Sequence, residues 1–280
     1  MKIVVLIDNQ KSISQPNLFS EHGLSVYFEE NDLHCLLDVG ATEHWSENAL
    51  KLGVNVSNID YLFLSHGHVD HTGGLNSFFQ KNSKAKVYAS ERIMRYKYFS
   101  YRHSSRPKDL SPDIETLKAN LSRIVFLRED IQLTPQLYLI FNKVFANPLP
   151  KGNKFLTISV QDRESSYCAD DEIALSIVTS KGLVILSSCS HCGILNIIES
   201  CIQTTGINKV AAFVGGLHLI DFESSADEDD VEFLAKTILQ KYPNMMLYAG
   251  HCTGTRATEI LSEVLQSHFK QLHCAIEIYL

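Results

Sequence analysis

The hexapeptide His66-Gly67-His68-Val69-Asp70-His71 constrains this chain more than any other stretch. Three imidazoles and a carboxylate follow directly on the apolar run Tyr61-Leu62-Phe63-Leu64, which reads as a buried strand. A strand end fixes the backbone, so His66 and His68, two positions apart, point the same way from a nearly extended segment. Asp70 and His71 are adjacent and must diverge. One short loop thus offers two ligands to one metal ion and two to a neighbour. Neutral imidazole and carboxylate are donors that zinc, iron and manganese accept. Gly67 and the Gly73-Gly74 pair let the backbone come close to the ions. The rival reading is a polar turn whose histidines merely hydrogen-bond, but one loop rarely collects these four groups by chance.

The same grammar recurs along the chain: an apolar strand, a loop with metal-binding side chains, then a helix. Residues 2–8, 24–29 and 34–40 read as strands, the third carrying Asp38 at its end, and residues 42–53 as a helix. Helices are expected at 72–82, 193–206, 228–243 and 254–269. His191 follows the strand-like Leu183–Ser188, and His251 follows Met245–Gly250, with Gly250 and Gly254 on either side. This arrangement puts chemistry on loops at one edge of a sheet core. Ser before the acidic run 227–230 reads as a helix start, with Asp and Glu matched to the positive end of the dipole. Thr253 and its neighbours precede the last helix, where they either cap it or help hold a phosphate.

Residues 91–150 fit this grammar poorly, and 91–115 read as a lid or insertion near a site mouth. The stretch is basic and aromatic, with Arg92, Arg95, Lys97, Arg102, Arg106 and Lys108 against a lone Glu91 before Asp109. Either these cations, Arg92, Arg95 and Arg102 foremost, grip an anionic substrate, or they line a solvated helix face from which Tyr96, Phe99 and Tyr101 pack inward.

The chain has 280 residues, 45% hydrophobic and 20% charged, which suits a single domain over 1–280 with that insertion. A net charge of −7 argues against general nucleic-acid or membrane binding. The start is too short in apolar residues for an export signal, and no stretch reaches membrane-spanning length. The cysteine count is odd, at 7, with irregular spacing. They are expected as reduced thiols in a cytoplasmic protein. Cys189-Ser190-His191-Cys192 contains a lone CxxC, so a zinc ribbon is improbable. Cys189 reads as a small buried hydrophobe at a strand end, with a redox dithiol as the lesser alternative.

Taken with Leu183–Ile198, Phe213–Ile220 and Leu247–Ala257, the HxHxDH stretch resembles the metallo-β-lactamase superfamily. Within it, the chain resembles the 7,8-dihydropterin-6-yl-methyl-4-(β-D-ribofuranosyl)aminobenzene 5'-phosphate synthase-like branch, over nearly its whole length. The resemblance implies an α+β fold, the four-layer αββα sandwich. It implies that His66, His68 and His191 hold one metal ion and that Asp70, His71 and His251 hold a second. The expected ions are two zincs, with manganese or iron as alternatives. A bridging aspartate usual in the superfamily is absent, because Ser188-Cys189-Ser190-His191 occupies its place. The customary His-rich loop is replaced by Cys168–Val178, so Asp170, Asp171 or Glu172 is expected to supply an oxygen ligand, with Asp171 favoured. More oxygens would move preference towards manganese or iron. Asp38 is expected to accept a hydrogen bond from a ligand imidazole. His218, in a motif the branch carries, is read as a substrate contact or proton donor.

The expected activity is hydrolysis of a small phosphorylated or carboxylated molecule by a metal-bound hydroxide, with Asp70 steering the nucleophile. The alternatives are a synthase-like condensation of a pterin with an aminobenzene ribofuranosyl phosphate, iron-dependent redox chemistry, and a non-catalytic metal-dependent ligand binder.

Overall fold

The structure is a computed structural model and describes residues 1–102, 106–220 and 225–280. The chain divides into two compact units. The first comprises residues 1–128, 155–167 and 273–280, and the second 129–154 and 168–272.

A seven-stranded sheet organises the first unit, in the order Glu277–Tyr279, Lys2–Ile7, Ser25–Glu30, Leu33–Leu37, Tyr61–Phe63, Lys86–Ser90 and Ile124–Leu127. Its first half is antiparallel; from Leu33–Leu37 onward the neighbours are parallel. Parallel neighbours need crossovers, here through the helices His44–Lys51, Leu75–Lys81 and Ile114–Ala119. Leu6, Leu36, Leu62, Val87, Trp45 and Phe78 join in one buried cluster. Trp45 is fully buried and satisfies its indole N–H on Ser77 Oγ at 3.2 Å. Asn48, equally buried, donates to the carbonyls of Leu6 and Phe19 and accepts the Phe19 N–H, tying helix, strand and loop together.

Four short strands, Arg163–Ser166, Leu156–Val160, Lys97–Ser100 and Lys108–Asp109, form a second sheet of this unit. The helix-face reading of 91–115 is corrected here. Aromatic residues favour a pleated surface, and Lys97–Ser100 alternates so that Tyr98 is buried while Lys97 faces solvent. Residues 91–128 of the expected insertion fall in the first unit and 129–150 in the second.

The second unit is built on a seven-stranded sheet in the order Phe269–Gln271, Met246–Gly250, Val210–Gly216, Gly182–Ser187, Ile173–Thr179, Leu137–Phe141 and Ile131–Gln132. Gly182–Ser187, Val210–Gly216 and Met246–Gly250 run parallel. The first of these is buried along its whole length, as expected for a strand covered on both faces. Helices Ile194–Thr205, Ser225–Lys241 and Thr255–Leu265 follow the three strands in turn. The loops bearing His191, His218 and His251 therefore lie at the carboxyl ends of adjacent strands. Residues 221–224 lie outside the described set, so Ser224 as part of the helix start at 225 is not described. Among the described residues, no helix is long and apolar enough to cross a membrane.

Candidate metal centre

In the first unit, strand Tyr61–Phe63 ends at the motif loop, and Asp70 and His71 open the short helix Val69–Thr72. His66, His68 and His71 are buried. Beneath them lies Asp38, fully buried, with its backbone in the left-handed region at φ 58°. Such a conformation in a non-glycine residue costs on the order of 1 kcal/mol or more and persists where surroundings demand it. Here the demand is visible: Asp38 accepts from Ser65 N at 2.7 Å, Ser65 Oγ at 2.6 Å and His71 Nδ1 at 2.8 Å.

These bonds set the tautomers. The Ser65 hydroxyl spends its proton on Asp38, so it can only accept from His66 Nδ1, 2.8 Å away. His66 thus carries its proton on Nδ1, and so does His71, which donates to Asp38. Both present an unprotonated Nε2, the form a metal ligand requires. His66 Nε2 lies 2.9 Å from His68 Nδ1, and His71 Nε2 lies 3.6 Å from Asp70 Oδ2. Buried nitrogen lone pairs and a carboxylate crowded this closely repel one another unless a cation or proton stands among them. The donor set fits a divalent metal.

Two further devices hold the loop. A Cβ on Gly67 would stand 2.3 Å from the Tyr98 ring, so only glycine lets the loop pass under that tyrosine. Tyr98 and Tyr167 flank the His68 ring at 5.2 and 5.1 Å. His22 Nε2, from an exposed loop, lies 3.4 Å from Asp70 Oδ2. None of these three was singled out in the sequence, because each comes from a distant segment without a motif of its own.

In the second unit, three non-glycine residues at strand ends also adopt the left-handed region: Ser190, His218 and His251, at φ 57°, 51° and 51°. Gly215 and Gly216 permit this crowding. A Cβ on Gly215 would stand 1.8 Å from the Ser187 carbonyl oxygen, and one on Gly216 would stand 2.6 Å from Cys252 Sγ. His191 Nδ1 pairs with Asn153 Oδ1 at 3.1 Å, and Asn153 Nδ2 donates to the His191 carbonyl at 2.8 Å. Glu172 grips the same loop, accepting His191 N–H at 2.8 Å and Cys192 N–H at 2.9 Å. Burial pushes its carboxyl up to about 7, although both backbone bonds oppose the shift. Both Glu172 oxygens are thus engaged with the backbone. Asp171, the favoured oxygen ligand, is fully buried beside it.

The cysteines form no disulfide among the described residues. Cys189 Sγ and Cys252 Sγ stand 3.5 Å apart. A ring nitrogen of each of His191, His218 and His251 lies within 4.8 Å of Cys189 Sγ. Burial alone would raise the Cys252 thiol, but hydrogen bonding with Cys189 and the nearby His251 and His218 imidazoles bring it well below the ordinary thiol value.

A family model described as the metallo-beta-lactamase superfamily matches residues 21–136. A 7,8-dihydropterin-6-methyl-4-(beta-D-ribofuranosyl)-aminobenzene-5'-phosphate synthase from Methanocaldococcus jannaschii is 32% identical over 287 residues, covering 98% of this chain and 94% of that protein. The chain belongs to the metallo-β-lactamase superfamily. Among solved structures, Tm1679, a metal-dependent hydrolase of the β-lactamase superfamily, aligns with a TM-score of 0.83 at 25% identity, over 100% of this chain and 99% of the other. The metallo-β-lactamase fold protein YhfI from Bacillus subtilis aligns with a TM-score of 0.59 at 13% identity, over 99% of each chain. These likenesses establish the α+β metallo-β-lactamase fold for this superfamily member.

The remaining predicted site residues of this metallo-β-lactamase relative are placed as follows. Arg95 makes an exposed ion pair with Glu91 at 3.3 Å, and Glu91 also takes Arg128 at 2.7 Å. Arg92 and Arg102 are half-buried. The Thr253 hydroxyl donates to the Gly250 carbonyl at 2.7 Å and accepts the Leu217 N–H at 3.3 Å. It is buried, and these bonds use its hydroxyl to brace the His251 loop.

Proposed function

We propose that this chain is a metal-dependent hydrolase of a small phosphorylated or carboxylated substrate, working in the cytoplasm, where its thiols stay reduced. The observation that carries the reading is the buried donor set of the first unit. There Ser65 and Asp38 hold the Nδ1 protons of His66 and His71 and leave both Nε2 atoms as lone pairs. In the ligand assignment the superfamily implies, His66, His68 and His191 serve one ion, and Asp70, His71 and His251 serve a second. When bound, zinc, manganese or iron supplies a Lewis acid and lowers the pKa of a water from about 15.7 to near 7. Asp70 both binds and orients, because its carboxylate can accept a proton from the nucleophile it faces. Asp38 and Ser65 keep the imidazoles in the ligating tautomer. Glu172, Asn153 and Thr253 hold the backbones of the His191 and His251 loops. Arg92 and Arg102 supply positive charge for the anionic substrate.

A second reading has one specific support, the 32% identity to a synthase over 98% of the chain. There an amine replaces water as the nucleophile, and the same residues serve. One experiment separates the two. Metal-loaded protein is incubated with a dihydropterin-methyl diphosphate, with and without the aminobenzene ribofuranosyl phosphate, and with bis-p-nitrophenyl phosphate. Hydrolysed products regardless of the amine support the hydrolase. A pterin–amine adduct, with no hydrolysis in the amine's absence, overturns it in favour of condensation.

A further inference from the structure

We propose that Cys189, His218 and Cys252 form a sulfur-containing ligand set that binds a thiophilic divalent metal. The three ligand atoms lie within 4.8 Å of one another, and all three side chains are buried. The two sulfurs are 3.5 Å apart, far too long for a disulfide. Two thiolates on one tetrahedral zinc, each at about 2.3 Å from the metal, stand about 3.8 Å apart. The spacing is therefore close to that of two ligands of one ion.

His218 gives the second, independent indication. It is 4% exposed, and among the described residues its ring nitrogens have no hydrogen-bond partner beyond the adjoining Cys252 thiol. A buried imidazole left with no partner but a thiol is costly, and its left-handed backbone at φ 51° adds to that cost. Both costs are understandable if the ring is held for a ligand that the protein itself does not supply. The construction around it points the same way. Each of the three residues follows one of three adjacent parallel strands, Gly182–Ser187, Val210–Gly216 and Met246–Gly250. Gly216 leaves the room that Cys252 Sγ occupies.

The set also answers a question the sequence raises. Where the superfamily's bridging aspartate is expected, this chain has Ser188-Cys189-Ser190, and Cys189 brings a sulfur rather than an oxygen. Soft donors favour zinc over manganese, opposite to the shift expected from an extra carboxylate. Binding releases the two thiol protons to solvent as the metal takes their place. His218 is thereby assigned to a metal rather than to proton transfer. The proposal does not depend on which reaction the protein catalyses.

The test is a cobalt(II) titration of the full chain, prepared metal-free under reducing conditions and followed by electronic absorption. Thiolate ligation gives an intense sulfur-to-cobalt charge-transfer band in the near ultraviolet, which nitrogen and oxygen donors do not. The band is expected in the wild-type protein. It should fall to about half in Cys189→Ser and in Cys252→Ser and vanish in the double variant, since each sulfur contributes. His218→Gln should retain the band while weakening cobalt affinity at least about tenfold. Bound cobalt without the band in the wild-type protein overturns the proposal, and that reading needs no variant to fold. A band that survives in the folded double variant overturns it as well. Lack of turnover on every substrate would leave the band intact, whereas lack of the band would leave hydrolysis standing.

Discussion

The motif loop of the first unit and the strand-end loops of the second gather candidate metal donors in opposite ways. In the first, His66, His68, Asp70 and His71 come from six consecutive residues, and one buried carboxylate beneath them sets two tautomers. In the second, Cys189, His218 and Cys252 come from three loops after three strands. They meet only because Ser190, His218 and His251 accept left-handed backbones and Gly216 has no side chain. A local cluster is specified by its ligands and their outer partners, whereas an assembled one is specified by backbone geometry. Losing a ligand or its partner should therefore be felt most in the first unit, and losing a backbone anchor in the second.

The largest expected effect is His66→Ala, which should remove at least one equivalent of metal by elemental analysis and reduce turnover to background. Retained activity in that variant, verified metal-depleted, would break the comparison at its base. Next comes Asp38→Asn. The amide either offers its nitrogen or loses charge towards His71 Nδ1–H and Ser65. Metal affinity should fall about 10- to 100-fold, as for other partners of ligating histidines, which a competitive chelator titration reads directly. An unchanged affinity would mean that Asp38 serves the strand end alone.

Glu172→Gln probes the second unit. It turns one of two acceptors into a donor facing a backbone N–H. The expected cost is about 1–3 kcal/mol of stability, seen as a lower urea midpoint with an unchanged slope. An equal loss of metal affinity without loss of stability would instead make Glu172 a ligand. The smallest effect belongs to a control away from both loops. Asp113 caps helix Ile114–Ala119 by accepting from Glu115 N and Thr116 N, and the Thr116 hydroxyl, followed by these backbone bonds, holds its carboxyl below the usual range. Asp113→Ala should cost about 1 kcal/mol and leave metal content untouched.

The contrast also explains what could be read from the chain alone. The strands Lys2–Ile7, Ser25–Glu30 and Leu33–Leu37 and helix Ile194–Thr205 were legible because each is a continuous apolar or periodic segment. The motif loop was legible because its donors are contiguous. Residues 97–100 and 108–109 were not legible as strands: Lys97–Ser100 pairs with Leu156–Val160, more than fifty positions away, and Lys108–Asp109 is a two-residue edge that pairs with Lys97–Ser100. Glu172 stood among the candidate oxygen ligands, but no local pattern signals that both its oxygens close on the backbone of residues 191 and 192. The pairing of Cys189 with Cys252 was hidden for the same reason. A sulfur contact across 63 positions leaves no trace in spacing. The Gly215-Gly216 pair did carry a signal of close approach, though not of what approaches.

The most direct test of the central claim is turnover of the wild-type protein, stripped of metal and then reconstituted. Metal content is measured at each stage, and bis-p-nitrophenyl phosphate and the dihydropterin diphosphate serve as substrates. The account predicts no turnover in the stripped protein and recovery in step with bound metal. Full turnover by protein verified to be metal-free would contradict it.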